Sequence, residues 1–239
     1  MFEIGKPDLT PEAREELPGS FVELSGGVTH YELSGEAGGR NVVLIHGNAA
    51  PYVTWDNTVG DLCDAGFRVL RYDVFGHGFS DRPRLRTYTT QLYNTQLAEL
   101  VARLDIPYPI LVVGTSQGGS IGACFASKHP GKVEKLALLS PFFDDFEGSS
   151  GVIATLAKAP FVGEVVFQLV PDAKISDLSE RLASADKRAI LEPQVAEQMR
   201  FRGKRRAILA NWRGDALTDA TPCYKGVKAQ GIPTLLTWG

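Results

Sequence analysis

Histidine, cysteine and long apolar runs are all scarce in this chain. Of 239 residues four are histidine, at His30, His46, His77 and His129, and none follows His129. They fall in separate elements without metal-ligand spacing, so neither a metal nor a cofactor is expected. The three cysteines, Cys63, Cys124 and Cys223, are odd in number and widely spaced. Cys63 and Cys124 sit among apolar helical residues, which reads as buried free thiols in a reduced, cytoplasmic protein. No stretch approaches the roughly 18 apolar residues that a membrane span needs. Residues 1 to 16 carry prolines and charges where a signal peptide has its apolar stretch. The net charge of −3 supplies no field that would recruit nucleic acid or an anionic membrane. The basic run Arg200 to Arg206 is local and reads as the solvated face of a helix. Gly76-His77-Gly78 lacks the third glycine of a dinucleotide loop, and no Gly-Lys-Ser/Thr follows it.

What is present is alternation. A composition of 44% hydrophobic and 22% charged residues suits one core carrying an insertion. Residues 1–18 read as an arm. Phe21–Leu24 and Val28–Leu33 alternate around Gly26-Gly27, a hairpin signal. Asn41–Ile45 is a continuous apolar run, as expected of a strand buried on both faces. A helix is predicted over Thr54–Asp64 with Thr54 as its cap, then a strand over Phe67–Tyr72 and a helix over Thr90–Leu104 capped by Thr89 or Thr90. A strand at Ile110–Val113, a helix from Ser120 and a strand at Val133–Leu139 complete the regular part. Such regularity implies a doubly wound, mostly parallel sheet whose functional loops lie at the carboxyl ends of its strands. Residues 144 to about 215 carry no strand signal. Helical stretches at Val152–Ala157, Val162–Val170, Asp177–Ala185 and Gln194–Asn211 read as a cap over the site, with Phe161, Phe167, Leu169 and Met199 facing the pocket or packing. A last strand is predicted over Ile232–Trp238. The division is a core over 1–143, a helical cap over 144–215 and a return to the core over 216–239.

The chain's most informative stretch is Val112-Val113-Gly114-Thr115-Ser116-Gln117-Gly118-Gly119. Gly-x-Ser-x-Gly between a strand and a helix is the nucleophile elbow. A serine hydroxyl becomes useful when a sharp turn lifts it clear of the sheet, and that turn leaves no room for side chains at Gly114 and Gly118. The N-terminus of the following helix aims N–H groups at negative charge developing near Ser116.

With these residues in hand the chain resembles the α/β-hydrolase superfamily, specifically its capped serine hydrolases. His46-Gly47-Asn48 resembles the oxyanion loop after the third strand. Asp73-Val74-Phe75-Gly76-His77-Gly78-Phe79-Ser80 is similar to the family's Asp-x-x-Gly-x-Gly-x-Ser loop, and Ile232-Pro233-Thr234 with Trp238-Gly239 resembles the strand before the acid-bearing loop. The resemblance implies that Ser116 is the nucleophile. The oxyanion donors would be the backbone N–H of Gln117 and one from Asn48 or Ala49, with the Asn48 side chain either assisting or bracing the loop. His46 and Gly47 support that loop, as Gly114 and Gly118 support the elbow. His77 reads as a brace for its turn and Asp73 as a turn-organising carboxylate. His129 is read as an imidazolium favouring the helix dipole, and His30 as remote from the site.

In the family the acid and the histidine follow the nucleophile, in that order. This sequence ends at Gly239, so the expectation is a chain that stops before both, lacks the last strand and helix, and is weakly active alone. Asp144 or Asp145 is open as an acid. An apolar edge at Thr234–Thr237 would invite a second copy or a complementing polypeptide. The expected activity is hydrolysis of a small-molecule carboxylic ester through an acyl-enzyme. Two alternatives remain: a C–C bond or lactone hydrolase using the same serine, and a scaffold that only binds. His-Gly-Asn with Trp55 is also reminiscent of haloalkane dehalogenases, but those need a carboxylate where this chain has Ser116.

Overall fold

The computed structural model describes residues 3, 5–48, 51–142, 155, 158–169, 193 and 196–238, the side chains of 166–169 excepted. A seven-stranded sheet organises them, in the order β1-β2-β4-β3-β5-β6-β7. The strands are β1 Ser20–Leu24, β2 Gly27–Ser34, β3 Arg40–Ile45, β4 Phe67–Tyr72, β5 Ile110–Thr115, β6 Val133–Leu139 and β7 Thr234–Thr237. The hairpin β1-β2 lies antiparallel to its neighbours. From β4 to β7 every pairing is parallel. The fold is therefore α/β with a mixed, mostly parallel sheet.

The apolar run of β3 is split between two layers by the two-residue period of a strand. Val43 and Ile45 join a core with Leu70, Val112, Leu97, Leu100 and Phe125 on one face. Val42 and Leu44 pack with Trp55 and Val69 on the other, against Val59 and Leu62. All four β3 side chains are at most 2% exposed, each worth about 1.5–3 kcal/mol of burial. The helices that cover these faces are α2 Asp56–Asp64, α3 Thr90–Arg103, α4 Gln117–Lys128 and, later, α7 Thr221–Ala229.

Local chemistry explains most boundaries. Thr89 caps α3, its side chain accepting from the Leu92 N–H at 3.2 Å. Thr54 does not cap α2. It lies inside a 3-10 turn, Tyr52–Trp55, that enters α2 with no side-chain cap. The N-terminal arm contains a short helix, α1 Pro11–Glu15, capped by Thr10.

Between β6 and β7 the described residues contain α5 Val162–Leu169 and α6 Lys204–Arg213, and no strand. The helix expected over 194–211 is interrupted at Gly203, whose φ of 95° is left-handed. Phe161 is 80% exposed rather than packed, whereas Met199 is buried. The stretches 152–154 and 177–185 lie outside the described residues. The basic run is a solvated face only in part: Arg200 and Arg202 are exposed, but Lys204 and Arg205 are buried, and Arg206 donates to the carbonyls of Arg82 and Pro83 at 2.7 Å each. Those carbonyls belong to the loop after β4 and need donors, and the basic run supplies them.

The cysteines also depart from expectation. Cys124 on α4 and Cys223 on α7 are joined in a disulfide, and Cys63 alone is free. The two half-cystines are 99 positions apart, so nothing local marks the pair. At the far end of the sheet, β7 is exposed along its length, with Leu235 and Leu236 presenting apolar surface. No helix among the described residues is long and apolar enough to cross a membrane.

Candidate active site

Ser116 stands at the junction of β5 and α4 with φ 50° and ψ −122°. This is a costly conformation for a residue with a side chain, on the order of 1–3 kcal/mol, and it persists only when the surroundings over-determine it. They do so here. The Ser116 N–H donates to the Leu139 carbonyl of β6 at 3.0 Å, and the Ser116 carbonyl accepts from Gly119 at 3.0 Å and Phe142 at 3.1 Å. A Cβ on Gly114 would lie 2.4 Å from the Gly118 carbonyl oxygen. One on Gly118 would lie 2.2 Å from the Ile45 carbonyl oxygen. The two glycines let α4 begin against the ends of β3 and β5.

Parallel pairing sets Ile45 opposite Gly114, so the loops after β3 and β5 leave the sheet side by side. A Cβ on Gly47 would be 3.8 Å from Ser116 Oγ. It would also lie 3.2 Å from Ser116 Cβ, so the open side of the Gly47 α-carbon faces the serine. Gln117 is the first residue of α4, where a backbone N–H has no acceptor within the helix. Ser116, Gly47 and Gln117 are thus adjacent, with Asn48 next along the loop. Ala49, Asp144 and Asp145 lie outside the described residues.

A buried polar network underlies the β3 loop. Val74 N–H donates to His46 Nε2 at 3.0 Å, so the imidazole proton sits on Nδ1, 2.7 Å from the Gly47 carbonyl. Burial pushes the His46 pKa down, and the ring is neutral. His77 is also held well below the ordinary histidine range, first by burial and then by Lys204. Its Nε2 lies 3.0 Å from the Asn48 carbonyl and 3.2 Å from Asn48 Oδ1, so it braces the loop after β3 as well as its own turn.

Asp73 accepts from the N–H groups of Tyr52 at 2.8 Å and Phe79 at 3.0 Å, and from His30 at 2.7 Å. Burial raises its pKa, but the hydrogen bond and charge of His30, with the Tyr52 N–H, outweigh this and hold the carboxyl well below its usual range. His30 is therefore not remote from the site. Strand β2 pairs antiparallel with β4, setting Tyr31 opposite Tyr72 and delivering His30 to the loop at the carboxyl end of β4. The reading of His129 changes too. Burial, Lys132 and Lys128 push its pKa down, and its ring lies against Phe125 with centroids 4.5 Å apart. None of the four histidines is hydrogen-bonded to Ser116.

One further group is visible only in three dimensions. Gln117, Asn48, Tyr93 and Asn211 of α6 meet in a single set of hydrogen bonds. Asn211 and Tyr93 are fully buried, and Gln117 is 1% exposed. The sequence carries no signal for Asn211 beyond a polar residue on the buried side of a helix.

A strained serine on a strand-to-helix turn beside a second strand-end loop is the site architecture of an α/β hydrolase. A family model described as alpha/beta hydrolase fold matches residues 40–216. The chain belongs to that family. An uncharacterized protein of Mycobacterium tuberculosis is 28% identical over 239 residues, covering 92% of this chain and 66% of its own length. This chain thus spans just under two thirds of that relative. The 2-hydroxy-6-oxo-6-phenylhexa-2,4-dienoate hydrolase of Comamonas testosteroni is 26% identical over 238 residues, 92% of this chain and 77% of that protein. In fold the chain is similar to a thermophilic esterase from Thermogutta terrifontis, at a TM-score of 0.71 and 22% identity, over 92% of this chain and 80% of that one.

Proposed function

We propose that the protein is a serine hydrolase that cleaves small-molecule carboxylic esters through an acyl-enzyme on Ser116. The observation that carries this reading is the strained backbone of Ser116, with Gly47 against it and Gln117 at the start of α4. In the first half-reaction Oγ attacks the ester carbonyl while its proton passes to a general base. Charge develops on the carbonyl oxygen as the tetrahedral centre forms, where the N–H groups of Gln117 and of the Asn48–Ala49 segment would receive it. Collapse breaks the bond to the alcohol, which leaves with a proton. Water then adds to the acyl carbonyl and frees Ser116 by the reverse sequence. The geometry assigns none of the described histidines as that base.

A second reading keeps the nucleophile and changes the bond, to the C–C bond of a dicarbonyl compound or a lactone. The similarity to the Comamonas dienoate hydrolase favours it. Turnover assays on the protein encoded in full by its gene separate the two. Hydrolysis of p-nitrophenyl acetate or butyrate, lost in Ser116→Ala, is the expected result. Cleavage of 2-hydroxy-6-oxo-dienoates without ester turnover would select the second reading. Neither activity, in a correctly folded protein, would leave only a ligand-binding role.

A further inference from the structure

Asn211 sits near the end of α6, the helix that returns from the insertion, 163 positions from Asn48 and 94 from Gln117. Its amide and that of Gln117 form a reciprocal pair: Gln117 Nε2 donates to Asn211 Oδ1 at 2.9 Å, and Asn211 Nδ2 donates back to Gln117 Oε1 at 3.2 Å. Asn211 Nδ2 also donates to Asn48 Oδ1 at 2.7 Å, and Asn211 Oδ1 accepts from the Tyr93 hydroxyl at 2.9 Å. The direction of this chain is set at its far end. Of the two carbonyls that face the His77 ring, that of Asn48 at 3.0 Å from Nε2 is closer than that of Phe75 at 3.4 Å from Nδ1, so the proton sits on Nε2 and the neighbouring Asn48 side-chain atom is an oxygen. Asn211 must then present its NH₂ to Asn48 and its oxygen to Gln117 and Tyr93. Every hydrogen-bonding atom of the Asn211 amide is used, within a fully buried side chain.

Asn48 and Gln117 belong to the two halves of the expected oxyanion hole, one on the loop after β3 and one at the start of α4. Asn211 bonds to both. We infer that Asn211 is a positioning residue that holds the two halves in register and ties that register to the helical insertion. This inference rests on the ester-hydrolase reading for its catalytic consequence, but its geometric content stands apart from it. Asn211 touches no reacting atom. It acts on where two donors stand, and a displacement of about 1 Å in such donors can cost on the order of 10²-fold in rate. It also gives the insertion a route to the chemistry: whatever moves α6 moves both donors together.

The test replaces Asn211 by leucine, close in size and without hydrogen-bonding atoms, in the protein encoded in full by its gene. Two readouts are taken. The first is backbone amide exchange of segments 46–48 and 117–120, with the β1-β2 hairpin as an internal control. Asn211→Leu is expected to raise exchange at both segments by about tenfold, as local opening becomes easier, and to leave the hairpin unchanged. The second is turnover of a p-nitrophenyl ester, where kcat is expected to fall by roughly 10- to 100-fold, less than the loss of a donor itself, with KM nearly constant. A residue that only stabilised the fold would lower the melting temperature and leave kcat of the folded fraction intact. Exchange that stays at its original level in either segment would overturn the inference. If the unsubstituted protein turns over no ester, the hydrolase reading fails, and the exchange result still decides the role of Asn211. Should Asn211→Leu not fold, Tyr93→Phe removes only the hydroxyl that donates to Asn211. It is then expected to shift exchange in the same segments by a smaller factor, and no shift would again overturn the inference.

Discussion

The loops that leave the carboxyl end of the sheet are held in two different ways. The elbow after β5 is held by sterics and main-chain bonds: small residues at 114, 118 and 119, and backbone partners on β6 and α4. The loops after β3 and β4 are held by buried polar side chains, with Asp73, His46 and His77 bonding backbone groups that would otherwise be orphaned and His30 bonding Asp73. Shape sets the first and electrostatics the second. The strained turn at Ser116 needs one fixed backbone geometry, which close packing provides. The loops after β3 and β4 have no regular structure of their own, so their main-chain groups need partners from elsewhere.

That contrast predicts different responses to substitution. The largest effect is expected for Asp73→Ala. It leaves two backbone donors and His30 without their acceptor in a dry site, at about 3–5 kcal/mol by the precedent of broken buried pairs, read as a fall in the urea midpoint. Gly118→Ala is expected to cost about 3 kcal/mol, because its methyl must push α4 away from β3. The same measurement checks it, together with loss of Ser116 reactivity.

pH separates the two loops further. His46 and His77 are held below the ordinary histidine range, so below about pH 6.5 the unfolded chain binds protons that the folded chain refuses. Stability should fall as pH drops below that point, by up to about 1.4 kcal/mol per pH unit for each histidine. Asp73 adds to the decline only below about pH 4, because its depressed carboxyl stabilises the fold wherever the unfolded carboxyl is ionised. Unfolding titrations of the parent and of His77→Gln measure the slope, which the substitution should flatten. The smallest effect is expected at Lys204. Its amine is buried against the Gly76 carbonyl, with burial and then Arg82 pushing its pKa well down, so folding opposes its charge at a cost. Lys204→Met should raise stability, by up to about 1 kcal/mol. A loss of stability would show that the Gly76 contact outweighs the cost of burial.

The same contrast governs what could be read from the chain. The elbow is legible because its constraints are short in sequence: Gly114, Ser116 and Gly118 lie within five positions and act on one another. Strand β3 is legible because burial on both faces leaves a continuous apolar run at Asn41–Ile45. The polar supports are not, since each joins distant positions. His30 reaches Asp73 across 43 residues, and Asn211 reaches Asn48 across 163. Cys124 meets Cys223 only because α7 packs on α4. A buried Lys204 within a basic run was equally hidden, because charge alone says nothing of which carbonyls lie above it.

The most direct test of the central claim, that Ser116 is an armed nucleophile on a preset elbow, is an intact mass spectrum after incubation with a fluorophosphonate, followed by mapping of the adduct. It should be run on the protein encoded in full by its gene, with Ser116→Ala alongside. One adduct on Ser116, absent from Ser116→Ala, is the predicted result. An unmodified mass from folded protein, or an adduct on another residue, would contradict it.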